Sequence, residues 1–113
     1  MADIDLQAII VNTVIASSET TSAAVDLPSG FYPVAIITPS ALTGTAFTFT
    51  VAADGTNYVA MYDKTGTAYS VTVAASRYIM LPPADFCGVN NFKIVSGSTE
   101  AAARSINIVA RSL

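Results

Sequence analysis

The side chains that could carry chemistry in this chain are its carboxylates, and they are few and scattered. The 113-residue sequence has no histidine and a single cysteine, Cys87. This excludes Ser-His-Asp and Cys-His catalysis and removes the commonest zinc ligand. Eight acidic residues remain, namely Asp3, Asp5, Glu19, Asp26, Asp54, Asp63, Asp85 and Glu100. Their spacing does not predict two carboxylates that face a substrate, as in a glycosidase, so we expect no enzymatic activity and no cofactor.

Two further groups of side chains could bind a ligand. Asp54, Asn57 and Asp63 could offer oxygen atoms to Ca²⁺, but the dense Asp-x-Asp pattern of a calcium-binding loop is absent, and turn formation accounts for Asp54 and Asn57. The chain also has five tyrosines and no tryptophan. Tyrosines can stack on sugars, but in a β-sandwich they more often close the rim of the core. That is our interpretation of Tyr32, Tyr58, Tyr62, Tyr69 and Tyr78.

The context of the single cysteine favours packing over reactivity. Cys87 lies between Phe86 and Gly88, and we interpret it as a small apolar side chain rather than a nucleophile. One cysteine cannot form a disulfide within the chain, so the sequence does not indicate an oxidising compartment.

The segment Thr45–Asp63 predicts the element around which the fold is built. Phe47 and Phe49 alternate with threonines, so the aromatic rings lie on one face of a strand. Asp54-Gly55 then favours a tight turn, because glycine tolerates a positive φ and aspartate hydrogen-bonds to its own backbone. A second apolar run follows the turn. We therefore predict a β-hairpin at the centre of an all-β domain.

Seven other segments are rich in β-branched and aromatic residues and are separated by turn residues. They are Ile4–Ile15, Ala23–Leu27, Phe31–Thr38, Thr67–Ala75, Arg77–Leu81, Phe92–Ser96 and Arg104–Ala110. Pro33 lacks a ladder donor, so we expect its strand to lie at a sheet edge there or to begin after the proline. About eight short strands predict an all-β fold, an antiparallel two-sheet sandwich of the jelly-roll type. We expect an extended N-terminal arm or first strand plus a linker over residues 1–22, and the β-sandwich domain over residues 23–113.

The composition predicts a surface that contacts other protein. Hydrophobic residues make up 52% of the chain and charged residues only 12%, against roughly 25% charged in an average soluble domain. A surface poor in charge loses little hydration energy when protein covers it. The net charge of −3 and five scattered basic residues predict no nucleic-acid partner. No apolar run approaches the roughly 20 residues of a membrane span, and the acidic N-terminus argues against a signal peptide, so we expect no membrane partner.

Part of the chain resembles small virion proteins of tailed bacteriophages. The resemblance lies in FTVAADGTNY at residues 49–58 and MYDKTG at residues 61–66, where a strand ends in an acidic-glycine turn and a Tyr-Asp-x-x-Gly turn follows. It continues through ADFCG at residues 84–88, FKIVSG at residues 92–97 and AAAR at residues 101–104. The resemblance implies a non-enzymatic virion structural protein, and specifically a jelly-roll capsid decoration (cement) protein that binds and stabilises the shell of the major capsid protein.

From the resemblance and the low charge together we expect a homotrimer that is assembled in the host cytoplasm and located on the capsid surface of the virion. The Asp-Gly hairpin is also similar to discoidin-like carbohydrate-binding sandwiches, which usually carry a tryptophan after the turn where this chain has Tyr58. The alternative function is therefore a carbohydrate-binding or tail- or fibre-associated virion module that contacts the host surface.

The apolar N-terminal segment is the candidate contact between subunits, because an extended strand can pair with an exposed sheet edge. The predicted contact residues are Ile4, Leu6, Ile9, Ile10, Val11 and Ile15. The alternative is that this segment is the ordinary first strand of the sandwich.

Overall fold

A computed structural model of the protein describes residues 8–112. Within this range the chain forms nine strands and one four-residue helix, and no helix there is long or apolar enough to span a membrane. The strands are β1 (Ala8–Ile15), β2 (Val25–Asp26), β3 (Phe31–Ile37), β4 (Ala46–Ala52), β5 (Val59–Ala60), β6 (Ser70–Thr72), β7 (Tyr78–Met80), β8 (Asn91–Ser96) and β9 (Arg104–Ser112). Helix α1 (Pro83–Phe86) lies between β7 and β8.

The strands form two antiparallel sheets in jelly-roll order. The four-stranded sheet has the order β1-β9-β3-β7, and the five-stranded sheet has the order β2-β8-β4-β5, with β6 also paired to β4. The first strand therefore pairs with the last, β2 with β8, β3 with β7, and β4 with β5 and β6. Such an order is a long antiparallel hairpin rolled into a sandwich, and it confirms the predicted all-β, jelly-roll-like fold.

The core lies between the inward faces of the two sheets, and strand alternation selects its residues. In β9, Ile106, Ile108 and Ala110 are fully buried. In β4, Phe47 and Phe49 are fully buried, whereas the threonines between and beside them are half-buried. Burying each of the larger side chains contributes about 1.5–3 kcal/mol relative to leaving it in water, so this alternation fixes which face of each strand points inward.

Helix α1 adds a further aromatic ring to the core. A proline starts the helix, where a missing N–H costs no hydrogen bond. The helix places Phe86 in edge contact with Phe49 and Tyr69, with ring centroids 5.3 Å and 5.1 Å apart. The connection between β7 and β8 therefore contains a structural turn of helix.

The predicted central hairpin is present. In β4 and β5, Thr50 pairs with Ala60 and Val51 pairs with Val59. Gly55 lies in the connecting turn with a φ of 76°, a conformation that side chains with a Cβ rarely adopt. Strand β4 pairs with β8 over a longer stretch, from Phe47 to Ala52. The hairpin therefore provides only the shorter of these two pairings of β4.

Two local predictions are wrong. The strand with Pro33 is central, between β9 and β7, because a register shift between Pro33 and Ala35 accommodates the proline as a bulge. Cys87 is exposed rather than packed, because α1 directs its neighbour Phe86 into the core.

Candidate interaction surface

The outward face of the four-stranded sheet carries one continuous apolar row. Strand pairing aligns Ile10 with Val109, Val109 with Ala35, and Ala35 with Met80. With the exception of Val34, the neighbours of these residues along each strand pack in or against the core, so this row points away from it. The row therefore crosses all four strands, from β1 at one edge to β7 at the other.

A second row runs beside the first. It consists of Asn12, Asn107, Ile37 and Tyr78, aligned by the same three strand pairings. These two rows form the apolar face, together with the flanking residues Val14, Tyr32 and Arg111.

Most of the strongly exposed large apolar side chains lie on the apolar face. Residues 8–112 contain six such side chains, and two of them, Val59 and Tyr62, lie elsewhere. The exposed fractions of the other four are 65% for Ile10, 66% for Met80, 58% for Tyr78 and 39% for Val14. Such clustering on one side of a small domain is typical of a surface that binds protein.

The middle of the apolar face is supported by a second apolar cluster. Val34, Ala35 and Val109 are buried there, and Tyr32 and Ile37 pack against them. Both faces of β3 therefore pack against apolar groups. This buried centre lies between the exposed side chains at the two edges, Ile10 on β1 and Met80 on β7.

Charge is nearly absent from the apolar face. None of its four strands contains aspartate or glutamate, and its one charged side chain is Arg111. The amide of Asn12 donates a hydrogen bond of 3.1 Å to the side-chain oxygen of Asn107, its neighbour in the second row. A face without carboxylates, in which amides already pair with each other, is cheap to desolvate.

The outward face of the five-stranded sheet has a different character. It carries the side chains of Thr48 and Thr50 and the ammonium group of Lys93, which lies 4.5 Å from the ring centre of Tyr58. The jelly roll therefore has one polar and one apolar outer side.

The predicted contact residues occupy three kinds of position. Ile4 and Leu6 lie outside the described residues. Ile9 and Val11 pack against the core, and Ile15 is fully buried in it. Ile10 is the member of the set that lies on the apolar face, because β1 pairs with β9 along its whole length and alternation turns Ile10 outward. Residues 8–15 thus form the first strand of the sandwich, which is the alternative that the sequence left open.

The carboxylates suggested for calcium are engaged in their own turns. Asp54 accepts hydrogen bonds from the backbone N–H groups of Asn57 (2.8 Å) and Thr56 (2.9 Å), which lower its pKa to about 2. Asp63 accepts one from the Thr65 hydroxyl (2.6 Å), and its pKa is also lowered. Hydrogen bonds within each turn therefore explain the presence of its aspartate without a bound metal ion. The described part of the chain has no group of three side chains with metal-ligand chemistry.

The tyrosines separate into different roles. Tyr69 fits the predicted rim position, because its ring packs on Phe86 and its hydroxyl donates to the Asp85 carboxylate at 3.0 Å. Partial burial and the neighbouring Asp85 raise the pKa of Tyr69 to about 12. Tyr62 and Tyr78 are exposed instead. No cavity or cleft of ligand size lies within residues 8–112.

One buried carboxylate was not anticipated from the sequence. Glu100 is fully buried in the connection between β8 and β9. Its oxygens accept hydrogen bonds from the N–H groups of Thr43 and Gly44 (both 2.9 Å), the Ser96 hydroxyl (2.8 Å) and the Arg104 guanidinium (2.9 Å). Burial alone would raise its pKa, but these hydrogen bonds hold the pKa at about 2. The i,i+4 spacing of Glu100 and Arg104 is the signal in the sequence that could have indicated the pair.

Comparisons with known proteins give no relative: no family model, no curated protein and no solved structure matches the chain.

Proposed function

We propose that this protein is a non-enzymatic structural subunit of a tailed-bacteriophage virion, a decoration protein that binds the capsid and stabilises the shell of the major capsid protein. The observation that carries the proposal is the apolar face. A sheet surface without carboxylates and with four exposed large apolar side chains is suited to burial against protein. The resemblance of residues 43–111 to small phage virion proteins indicates that the assembly in which this surface is buried is a phage virion.

The physical basis is repeated apolar contact. Ile10 and Met80 are each about two-thirds exposed, so covering each of them contributes about 1–2 kcal/mol. One such contact is weak, but many identical copies on a lattice add their contributions. Because the face lacks carboxylates, we expect its contacts to depend little on salt concentration.

Particle binding by charged variants tests the proposal. Ile10→Lys and Met80→Lys place an ammonium group on the apolar face, where burial would leave it unpaired. Both positions are already exposed, so the fold tolerates the change. We expect both variants to lose binding to phage particles that lack the protein. Val59→Lys is the matched control, because Val59 is 68% exposed but lies on the other sheet.

Electron cryomicroscopy of particles with and without the protein locates it in the virion. We expect density on the outer shell of the head that disappears when the protein is left out. Unchanged particle binding by Ile10→Lys and Met80→Lys would contradict the role of the apolar face. Density lost from the tail instead of the head would contradict capsid decoration.

The alternative, a carbohydrate-binding or tail- or fibre-associated module, is favoured by a different surface. Tyr62 is 59% exposed and directly precedes the turn built on Asp63, where its ring is free to stack on a sugar. Glycan-array binding that is lost in Tyr62→Ala and retained in Met80→Lys would support this alternative over decoration.

A further inference from the structure

We propose that the edge of the four-stranded sheet at β1 pairs antiparallel with the same edge of a second copy of this chain, in a register centred on Ile10. The inference goes beyond the proposed function, because it uses the backbone at one edge of the sheet, whereas the proposed function uses the outward side chains. The apolar face of each copy therefore stays free for the capsid.

Strand β1 is the longest outer strand of the two sheets. It has eight residues, whereas the other outer strands, β2, β5, β6 and β7, have two or three. Natural β-proteins protect exposed sheet edges with short strands, charged side chains, proline or bulges. Strand β1 contains no charged residue and no proline, and its register with β9 is continuous. This edge therefore has none of the features that keep another strand from pairing with it.

The open part of this edge runs from Ala8 to Asn12. On the side away from β9, the Ala23 N–H group donates a hydrogen bond of 3.0 Å to the Val14 carbonyl. The backbone groups of Val14 therefore point away from β9, and alternation along an antiparallel strand gives the same direction to those of Ala8, Ile10 and Asn12. No described strand pairs with β1 on that side along these residues.

The burial of the inward side chains changes at the same point of β1. Thr13 and Ile15 are buried where residues 22–23 lie against the edge. Ile9 and Val11 point into the sandwich beside the open part, and both stay partly exposed. An added strand would cover these two apolar side chains and would also pair the open backbone groups. Two independent features, one of the backbone and one of the core, thus indicate that a strand binds here.

The open edge is complementary to itself. A two-fold axis through Ile10 places Ile10 opposite its own copy, Ala8 opposite Asn12, and Ile9 opposite Val11. The N–H and C=O groups of the three open residues then form about six hydrogen bonds between the copies. On the inner side Ile9 meets Val11, an apolar pair of β-branched side chains that stabilises adjacent strands. One strand thus supplies every group that its copy needs, which favours a second copy over a different protein.

The covered end of β1 fixes this register. If the copies slide by two residues in one direction, Ala8 comes opposite Val14, whose carbonyl is already occupied by Ala23. If they slide by two residues in the other direction, Asn12 lies beyond the start of β1 at Ala8 and loses its partner. A slide of one residue sets outward side chains opposite inward ones. The register centred on Ile10 is the one that pairs all the open residues.

Pairing through β1 also joins the two apolar faces. Ile10 ends the first row at this edge, so the rows of the two copies meet end to end and run from one Met80 to the other. The strands of the sheet contain no acidic residue. Strand spacings of about 4.8 Å and rises of about 3.3 Å per residue place the two Arg111 residues about 20 Å apart, well beyond the screening distance of about 8 Å. The pair therefore offers the capsid one continuous surface of twice the width.

Analytical ultracentrifugation of the full chain tests the pairing. A two-fold pair is a dimer, which differs from the homotrimer that the sequence analysis predicts. We expect the average mass to rise from 11.7 kDa towards twice that value as concentration increases.

Substitutions at Ile10 show whether β1 makes the contact. Ile10→Pro removes an N–H group that points to the second copy and leaves the ladder with β9, which uses the backbone groups of Ile9 and Val11. It should weaken self-association by about tenfold or more. Ile10→Lys sets two ammonium groups opposite each other and should act in the same direction, with a side chain that is already 65% exposed. Met80→Lys is the matched control, because Met80 is 66% exposed on the opposite edge, and it should leave self-association unchanged.

Cysteine crosslinking tests the register. In a Cys87→Ser background, Ile10→Cys chains should form a disulfide with each other, because directly opposite residues have Cα atoms about 5.5 Å apart, within the range of disulfides. Met80→Cys chains should stay uncrosslinked under the same oxidation. Crosslinking of Met80→Cys but not of Ile10→Cys would overturn the inference.

Other outcomes separate the pairing from the proposed function. A chain that stays monomeric at every concentration would overturn the pairing, and loss of particle binding in Ile10→Pro would then assign the edge to a strand of the capsid protein. A threefold mass that both Ile10 variants leave unchanged would also overturn it. Met80→Lys that self-associates but no longer binds particles would support the pairing and the proposed function together. A dimer that never binds particles would support the pairing and contradict the proposed function.

Discussion

Replacing Glu100 by glutamine tests how the structure holds the loops at one end of the sandwich. The carboxylate of Glu100 accepts hydrogen bonds from Thr43 and Gly44 in the β3–β4 connection and from Ser96 and Arg104 at the ends of β8 and β9. Glutamine has the same shape but offers one acceptor oxygen, and its NH₂ group would face donors. We expect Glu100→Gln to fold and to be markedly less stable.

The pKa of Glu100 is lowered from 4.5 to about 2, which corresponds to roughly 3 kcal/mol of stability at neutral pH. The hydrogen bonds that lower this pKa are consistent with such a value, because one hydrogen bond to a charged group contributes about 1.5–3 kcal/mol, and the variant also leaves the Arg104 guanidinium without its partner charge. We therefore predict a loss of about 3 kcal/mol.

The pH dependence has a definite sign. Because folding lowers the pKa of Glu100, its contribution is complete above pH 4.5 and is lost as the pH falls from there towards 2. Urea unfolding of the wild type and Glu100→Gln should show the full difference at pH 7 and a much smaller one near pH 2.5. A difference within about 0.5 kcal/mol at pH 7, the range of ordinary surface substitutions, would refute the reasoning. An equal difference at both pH values would refute the assigned cause.

Three further predictions concern single sites. A Cβ at Gly44 would collide with the Ser96 Oγ that the Glu100 carboxylate holds in place, so Gly44→Ala should lower the free energy of unfolding by about 1–3 kcal/mol; Gly88→Ala, with no atom within 4 Å of its new Cβ, is the control and should change little. The Thr50 hydroxyl is buried without a hydrogen-bond partner among residues 8–112, so Thr50→Val should raise stability by about 1 kcal/mol in urea unfolding; a loss would show that the hydroxyl is satisfied. Tyr69 should titrate near pH 12 by ultraviolet absorbance, and Asp85→Asn should lower that value only in part, because burial is the larger cause; a normal titration in the wild type would contradict the packing of its ring.

Alternation within single strands is the part of the fold that sequence predicts best. The aromatic residues of β4 and the isoleucines of β9 lie inward as the pattern indicates, and in β7 Tyr78 and Met80 lie opposite to Ile79. These assignments depend on contacts between residues that are close in the chain. The turn at Asp54-Gly55 is predictable for the same reason.

Features that depend on distant strands are not predictable in this way. The run Ile9-Ile10-Val11 has no alternation of polarity, so only the pairing with β9, about a hundred residues later, decides that Ile10 is outward. Pro33 indicates an edge strand, and only the observed bulge shows how a central strand tolerates it. The apolar face combines residues of four strands, and therefore becomes visible only when their order is known.

The central claim is that protein covers the apolar face in the assembled particle. Thiol labelling of Met80→Cys in a Cys87→Ser background measures this most directly, because residue 80 is well exposed in the isolated chain. We predict rapid labelling of the dilute free chain and strong protection in the particle. Equal labelling rates in both states would show that the face stays in water, and would contradict the account.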